Sequence, residues 1–112
     1  MQVAEIRQGA RVLLRPDGPL IGPSSRELSS IVERLLRQGR RSVAIDMSRA
    51  GTVDSHGLES LLGAAEALAG VGSLLVIEKT NPIVRSVLEM TGVSRSLEVL
   101  SESDAETARE AA

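Results

Sequence analysis

The chain has 112 residues, 42% hydrophobic and 25% charged, and 15 acidic against 13 basic side chains leave a net charge of −2. One globular domain accounts for these values, and the charge gives no pull toward nucleic acid or an anionic membrane. Cys, Phe, Tyr and Trp are all absent, which excludes disulfides, thiolate metal sites, Cys nucleophiles and aromatic stacking platforms.

Val3 to Gln8 and Arg11 to Arg15 read as two strands joined by a tight turn at Gly9, the second stopped by Pro16-Asp17-Gly18-Pro19. Leu20 to Pro23 is a loop. Ser24 opens a helix in which Leu28, Ile31, Val32, Leu35 and Leu36 recur at three- and four-residue spacing, and Gly39 ends it. Ser42 to Met47 is a third strand, apolar enough to be covered on both faces. A connection over Ser48 to Val53 leads into a second helix, where Ser55 is well placed to cap. Leu58, Leu61, Leu62, Ala65, Leu68 and Ala69 mark its apolar side, with Gly70 and Gly72 at its end.

Ser73 to Glu78 is a fourth strand. Asn81-Pro82 starts a third helix lined by Ile83, Val84, Val87 and Leu88 and stopped by Thr91-Gly92. Leu97 to Leu100 is a fifth strand, and Ser103 with Glu106 forms a capping box for a terminal helix. Alternation of strand and helix from residue 24 onward predicts an α/β fold. Its mixed, mostly parallel sheet has about five strands and about four helices, with the first strand antiparallel at an edge. The domain is expected to span residues 1–112, with a core over about 3–108.

Asp54-Ser55-His56-Gly57 stands out, because it lies where a strand-derived connection enters a helix. Unpaired amides at a helix start favour an anion. A phosphate on Ser55 would add about −1.5 to −2 charge and three acceptor oxygens there without unfolding the chain. A partner docked over the helix start would then meet a new dianion beside Asp54.

These residues carry a family resemblance. Val43-Ala44-Ile45-Asp46-Met47-Ser48, then Val53-Asp54-Ser55-His56-Gly57-Leu58, resemble the signature of STAS domains, in particular bacterial anti-sigma factor antagonists. Gly72 to Val76, Asn81 to Arg85 and Val87 to Val93 follow in the family's order, so that the resemblance covers roughly residues 10–105. It implies a non-catalytic regulator that binds an anti-sigma factor which is also a serine kinase. The kinase phosphorylates Ser55 with its own Mg-ATP, the antagonist lets go, and a phosphatase resets it. No bound cofactor or metal follows for this chain. Asp54, His56 and Gly57 are the neighbours of the phosphosite, and Gly22, Glu59 and Ser60 are candidate partner contacts. Two positions depart from the pattern: Ile21 stands where Asp is frequent, and His56 where Ser or Ala is frequent. The alternative is a non-switching STAS module, a structural subunit of a signalling scaffold or transporter complex, in which Ser55 is a cap and nothing more.

Other chemistry fits poorly. Asp54, Ser55 and His56 are the residue types of a hydrolytic triad, but consecutive side chains diverge at a helix start. A receiver domain needs an acidic pair after its first strand to hold Mg²⁺, and Arg15 to Pro19 holds one acid. One His and dispersed carboxylates make no metal site. Arg34, Arg37, Arg40 and Arg41 read as an exposed helix face and its C-terminal complement rather than a nucleic-acid surface. No apolar run approaches the ~20 residues of a membrane span, and no signal peptide opens the chain, so a cytoplasmic monomer or weak dimer is expected.

Overall fold

The computed structural model describes residues 1–99. β1 (Val3–Gln8) and β2 (Arg11–Pro16) form an antiparallel hairpin in which Gln8 pairs with Arg11. Its two-residue turn needs a left-handed residue, and Gly9 supplies one at φ +66°. β3 (Ser42–Asp46), β4 (Val76–Glu78) and β5 (Glu98–Val99) follow in parallel, so the sheet runs β1-β2-β3-β4-β5. The expected mixed sheet with an antiparallel edge strand is what forms. β4 is shorter than the apolar run from Ser73, and the terminal helix expected after Ser103 lies outside the described residues.

Three α-helices connect the parallel strands: α1 (Glu27–Arg37), α2 (Ser55–Ala69) and α3 (Pro82–Met90). The first does not begin at Ser24, because Pro23–Arg26 is a separate 3-10 turn ahead of α1. α1 ends as Gly39 predicts: this glycine takes φ +84°, its amide donates to the Leu36 carbonyl, and the Arg40 amide reaches the Leu35 carbonyl. Asn81 caps α3, accepting from the Val84 amide at 2.7 Å, and Pro82 takes the first helical position.

The core lies on one face of the sheet. Val12 and Leu14, Val43 and Ile45, and Leu75 and Ile77 share the same strand parity and pack with Leu28, Val32 and Leu35 of α1, Leu61, Ala64 and Leu68 of α2, and Val84 and Leu88 of α3. Leu13 and Ala44 have the opposite parity and are buried outside this cluster. On that second face Arg11 of β2 holds Glu78 of β4 at 2.6 Å, a pair that must pass over β3. β3 is thus covered on both faces, as its apolar sequence suggests.

Candidate functional site

The loop before α1 and the loop before α2 are stitched together. The Leu20 amide donates to the Thr52 carbonyl at 3.0 Å, and the Asp54 amide donates to the Leu20 carbonyl at 3.1 Å. Leu20 is fully buried, so this short parallel bridge is anchored in the core. The Asp54 carboxylate completes the join. One oxygen accepts from the Gly22 amide at 2.8 Å and the other from the Gly57 amide at 3.0 Å.

Asp54, not Ser55, therefore caps α2. Asp and Ser are about equally good caps, and in an Asp-Ser pair the backbone decides. Asp54 has the extended conformation of a cap, with φ −101° and ψ −170°, and Ser55 is already the first helical residue. This corrects the expectation that the Ser55 hydroxyl is spent on capping. Ser55 is exposed, and its side chain makes no hydrogen bond to any described residue. The amides of Ser55 and His56 also find no acceptor among the described residues, whereas those of Gly57 and Leu58 are taken by Asp54. An exposed hydroxyl thus stands beside two unpaired donors at the positive end of a helix.

The amides of Gly22 and Gly57, in that order, hold the Asp54 carboxyl below its ordinary range; partial desolvation opposes them, and His56 adds a smaller contribution. His56 is half-exposed, and its imidazole leans toward Asp54 with Nδ1 3.6 Å from the carboxylate. Asp54 is therefore a fixed negative charge beside Ser55.

Gly57 has a structural reason to be glycine. A Cβ there would lie 2.2 Å from the Leu20 carbonyl oxygen and within 2.9 Å of the Leu20 and Val53 side chains. The α2 start can approach the Leu20 loop this closely only without a side chain at this position. Gly22 takes φ +72°, presents its amide to Asp54, and accepts from the Ser25 hydroxyl at 2.8 Å. Ile21 lies between two pinned residues, and 48% of it is exposed at the rim of the site.

The two helix positions expected as partner contacts part company. Glu59 is exposed and reaches only Arg26, at 3.7 Å, a pair of little energetic weight. Ser60 is 2% exposed, which removes it from the surface. Its hydroxyl donates to the Ser25 carbonyl at 2.6 Å and accepts from the Ser29 amide at 3.2 Å. Ser29 lies in the first turn of α1, whose own cap residue, Arg26, offers no side-chain acceptor. Ser60 therefore satisfies a helix start from the neighbouring helix. Leu62, expected in the core, is half-buried and outside the core cluster, because α2 turns Gly57, Ser60 and Ala64 toward its neighbours.

Among the described residues no helix is long and apolar enough to cross a membrane, and no cluster of His, Asp and Glu could hold a metal ion.

No curated protein matches the sequence. The chain is similar in structure to the anti-sigma factor antagonist SpoIIAA in its unphosphorylated form, with a TM-score of 0.77 and 18% identity over 99% of this chain and 98% of that one. A single-substitution variant of RsbS from Moorella thermoacetica superposes with a TM-score of 0.70 and 15% identity, over 98% and 97% of the two chains. Murine Slc26a9, an anion transporter, gives a TM-score of 0.67 at 18% identity; the match covers 96% of this chain but 19% of the transporter. The family model of the STAS domain matches residues 2–107, and the chain belongs to the STAS domain family.

Proposed function

We propose that this chain is a partner-switching regulator of the anti-sigma factor antagonist type, released from its partner when Ser55 is phosphorylated. The carrying observation is the division of labour at the start of α2. Asp54 supplies the cap, which leaves the exposed Ser55 hydroxyl without a structural duty. In the reaction Ser55 Oγ takes the γ-phosphoryl group of the partner's Mg-ATP, loses its proton, and ADP leaves. The two unpaired amides can donate to the new phosphate oxygens, so the fold is kept. Asp54 cannot relieve that charge, because it stays ionised and adds to it. A partner seated over Ser55 then meets a dianion that must be desolvated, and it dissociates.

In this reading the partner is an anti-sigma factor with serine-kinase activity, a phosphatase resets the switch, and the regulator acts in the cytoplasm without catalysis of its own. Gly22 and Glu59 remain as candidate contacts, joined by Ile21. The reading is supported by family membership and by the likeness in fold to SpoIIAA, of which the phosphorylated form from Bacillus is also a structural neighbour, with a TM-score of 0.70. The test is incubation with serine kinases of the anti-sigma type and Mg-ATP, followed by intact-mass measurement. A gain of one phosphate, lost in Ser55→Ala, is expected. Phosphate on another residue, or unchanged partner affinity in Ser55→Asp, refutes the switch.

The second reading is a non-switching module of a larger assembly, favoured by the occurrence of this fold as a small part of a transporter chain. Native-cell extracts separate the two: a structural subunit runs in a high-mass complex, and a switch runs alone or with one partner.

A further inference from the structure

The end of the sheet opposite Ser55 carries a surface with no part in the switch. α2 is 15 residues long, so its far end lies roughly 20 Å from Ser55. There a cleft of about 370 Å³ is lined by Ala10 of the hairpin turn, Gly39, Arg40, Arg41, Ser42 and Ser73. None of its walls is acidic. Arg34 is paired with Glu5 and Arg11 with Glu78, but Arg37, Arg40 and Arg41 have no ion-pair partner among the described residues. Next to Ser73, Leu74 is 54% exposed, and Val71, three residues before it, is exposed as well. Two of the five large hydrophobic side chains exposed among the described residues thus lie within two positions of Ser73 in the chain.

We propose that this pole is a second protein-docking surface, which takes a partner segment carrying carboxylates beside an aliphatic side chain. Arginine forks match carboxylates in geometry, and arginine is among the residue types enriched at protein interfaces. A small anion fits less well. Small-ligand sites enclose most of their ligand, and no lining residue here is buried. A nucleic acid would need a track of cations along its phosphates, and here the lining holds two, Arg40 and Arg41. At ~20 Å, about two Debye lengths at physiological salt, a phosphate on Ser55 is largely screened. Docking at this pole is therefore independent of the switch, so the chain can stay tethered while its other end changes partners.

The test pans the full chain against a random peptide library displayed on phage and counter-selects on the Arg40→Glu/Arg41→Glu chain. Surviving peptides are expected to carry at least two Asp or Glu residues next to Leu, Ile or Val. Their affinity, read by fluorescence anisotropy, should fall by about tenfold or more in Arg40→Glu/Arg41→Glu and also in Leu74→Ser alone. It should stay within about twofold in Ser55→Asp, since that charge is screened. Thermal melting confirms that each variant folds, and Arg40→Ala serves as a milder replacement if the double variant does not. The proposal is overturned if no peptide survives counter-selection, or if the survivors lack acids. It is overturned equally if Leu74→Ser has no effect while inorganic phosphate or a single-stranded oligonucleotide displaces the peptide. A failed kinase assay at Ser55 leaves these readouts unchanged, so the two readings stand or fall separately.

Discussion

Replacing Gly57 by Ala tests the geometry on which the site is built. In an ordinary helix the change is favourable by about 1 kcal/mol, because Ala loses less backbone entropy and shields the helix. Here the added Cβ would meet the Leu20 carbonyl oxygen at 2.2 Å. That oxygen cannot swing away, since it accepts from the Asp54 amide and Leu20 is itself tied to Thr52. Relief needs a shift of the α2 start or of the Leu20 loop by about 1 Å. Overpacking strain of about 1–3 kcal/mol and a lost backbone hydrogen bond of about 1 kcal/mol outweigh the propensity gain. The net loss is about 2 kcal/mol, or roughly 8 °C in Tm for a domain of this size. Gly63, in the same helix, provides the control. A Cβ there meets Ser29 at 3.6 Å, an ordinary contact. Gly63→Ala is expected to raise Tm by a few degrees, and Gly57→Ala to lower it, in circular-dichroism melts of the full chain. A Gly57→Ala protein as stable as the parent would refute the close-approach argument.

Ser60→Ala leaves the Ser25 carbonyl and Ser29 amide without their buried partner and is expected to cost about 1–3 kcal/mol, measured by urea unfolding. A neutral result would mean that water replaces the hydroxyl. Ser55→Asp puts an anion at a helix start, so it should leave Tm unchanged or raise it slightly, by at most about 1 kcal/mol of stability, while weakening partner binding. A large drop in Tm would show that the serine has a structural role after all. Asp46 and Asp54 are both held below the ordinary carboxylate range. At Asp46 burial pushes upward but is outweighed by the hydrogen bonds from Ser48, then by Lys79 and Arg15; at Asp54 the Gly22 and Gly57 amides dominate. The unfolded chain therefore binds these protons first. The stability both carboxylates supply is complete above about pH 4 and is lost as pH falls through their folded values. Carbon-detected NMR titration of the two carboxyls, alongside melts from pH 7 to 2.5, checks the order.

What the chain wrote locally was legible without coordinates. The spacing of Leu28, Val32 and Leu35 placed one helix, Gly39 ended it, Asn81-Pro82 began another, and Gly9 turned the hairpin, because each depends on residues a few positions apart. Alternation of strand and helix then left few topologies open, and the Asp54 to Gly57 segment marked the candidate site by its entry into α2. Contacts between segments distant in sequence were not legible. Ser55 and Asp54 are equally good caps on paper; the backbone makes Asp54 the cap, and its carboxylate also reaches Gly22, 32 residues earlier. Ser60 reads as a surface residue by helical period, yet it lies under α1, where the first turn lacks an acceptor of its own. Periodicity reports which residues share a side of a helix. Only the packing of a second helix or loop against that side determines which polar group is desolvated, and so which hydroxyl stays exposed.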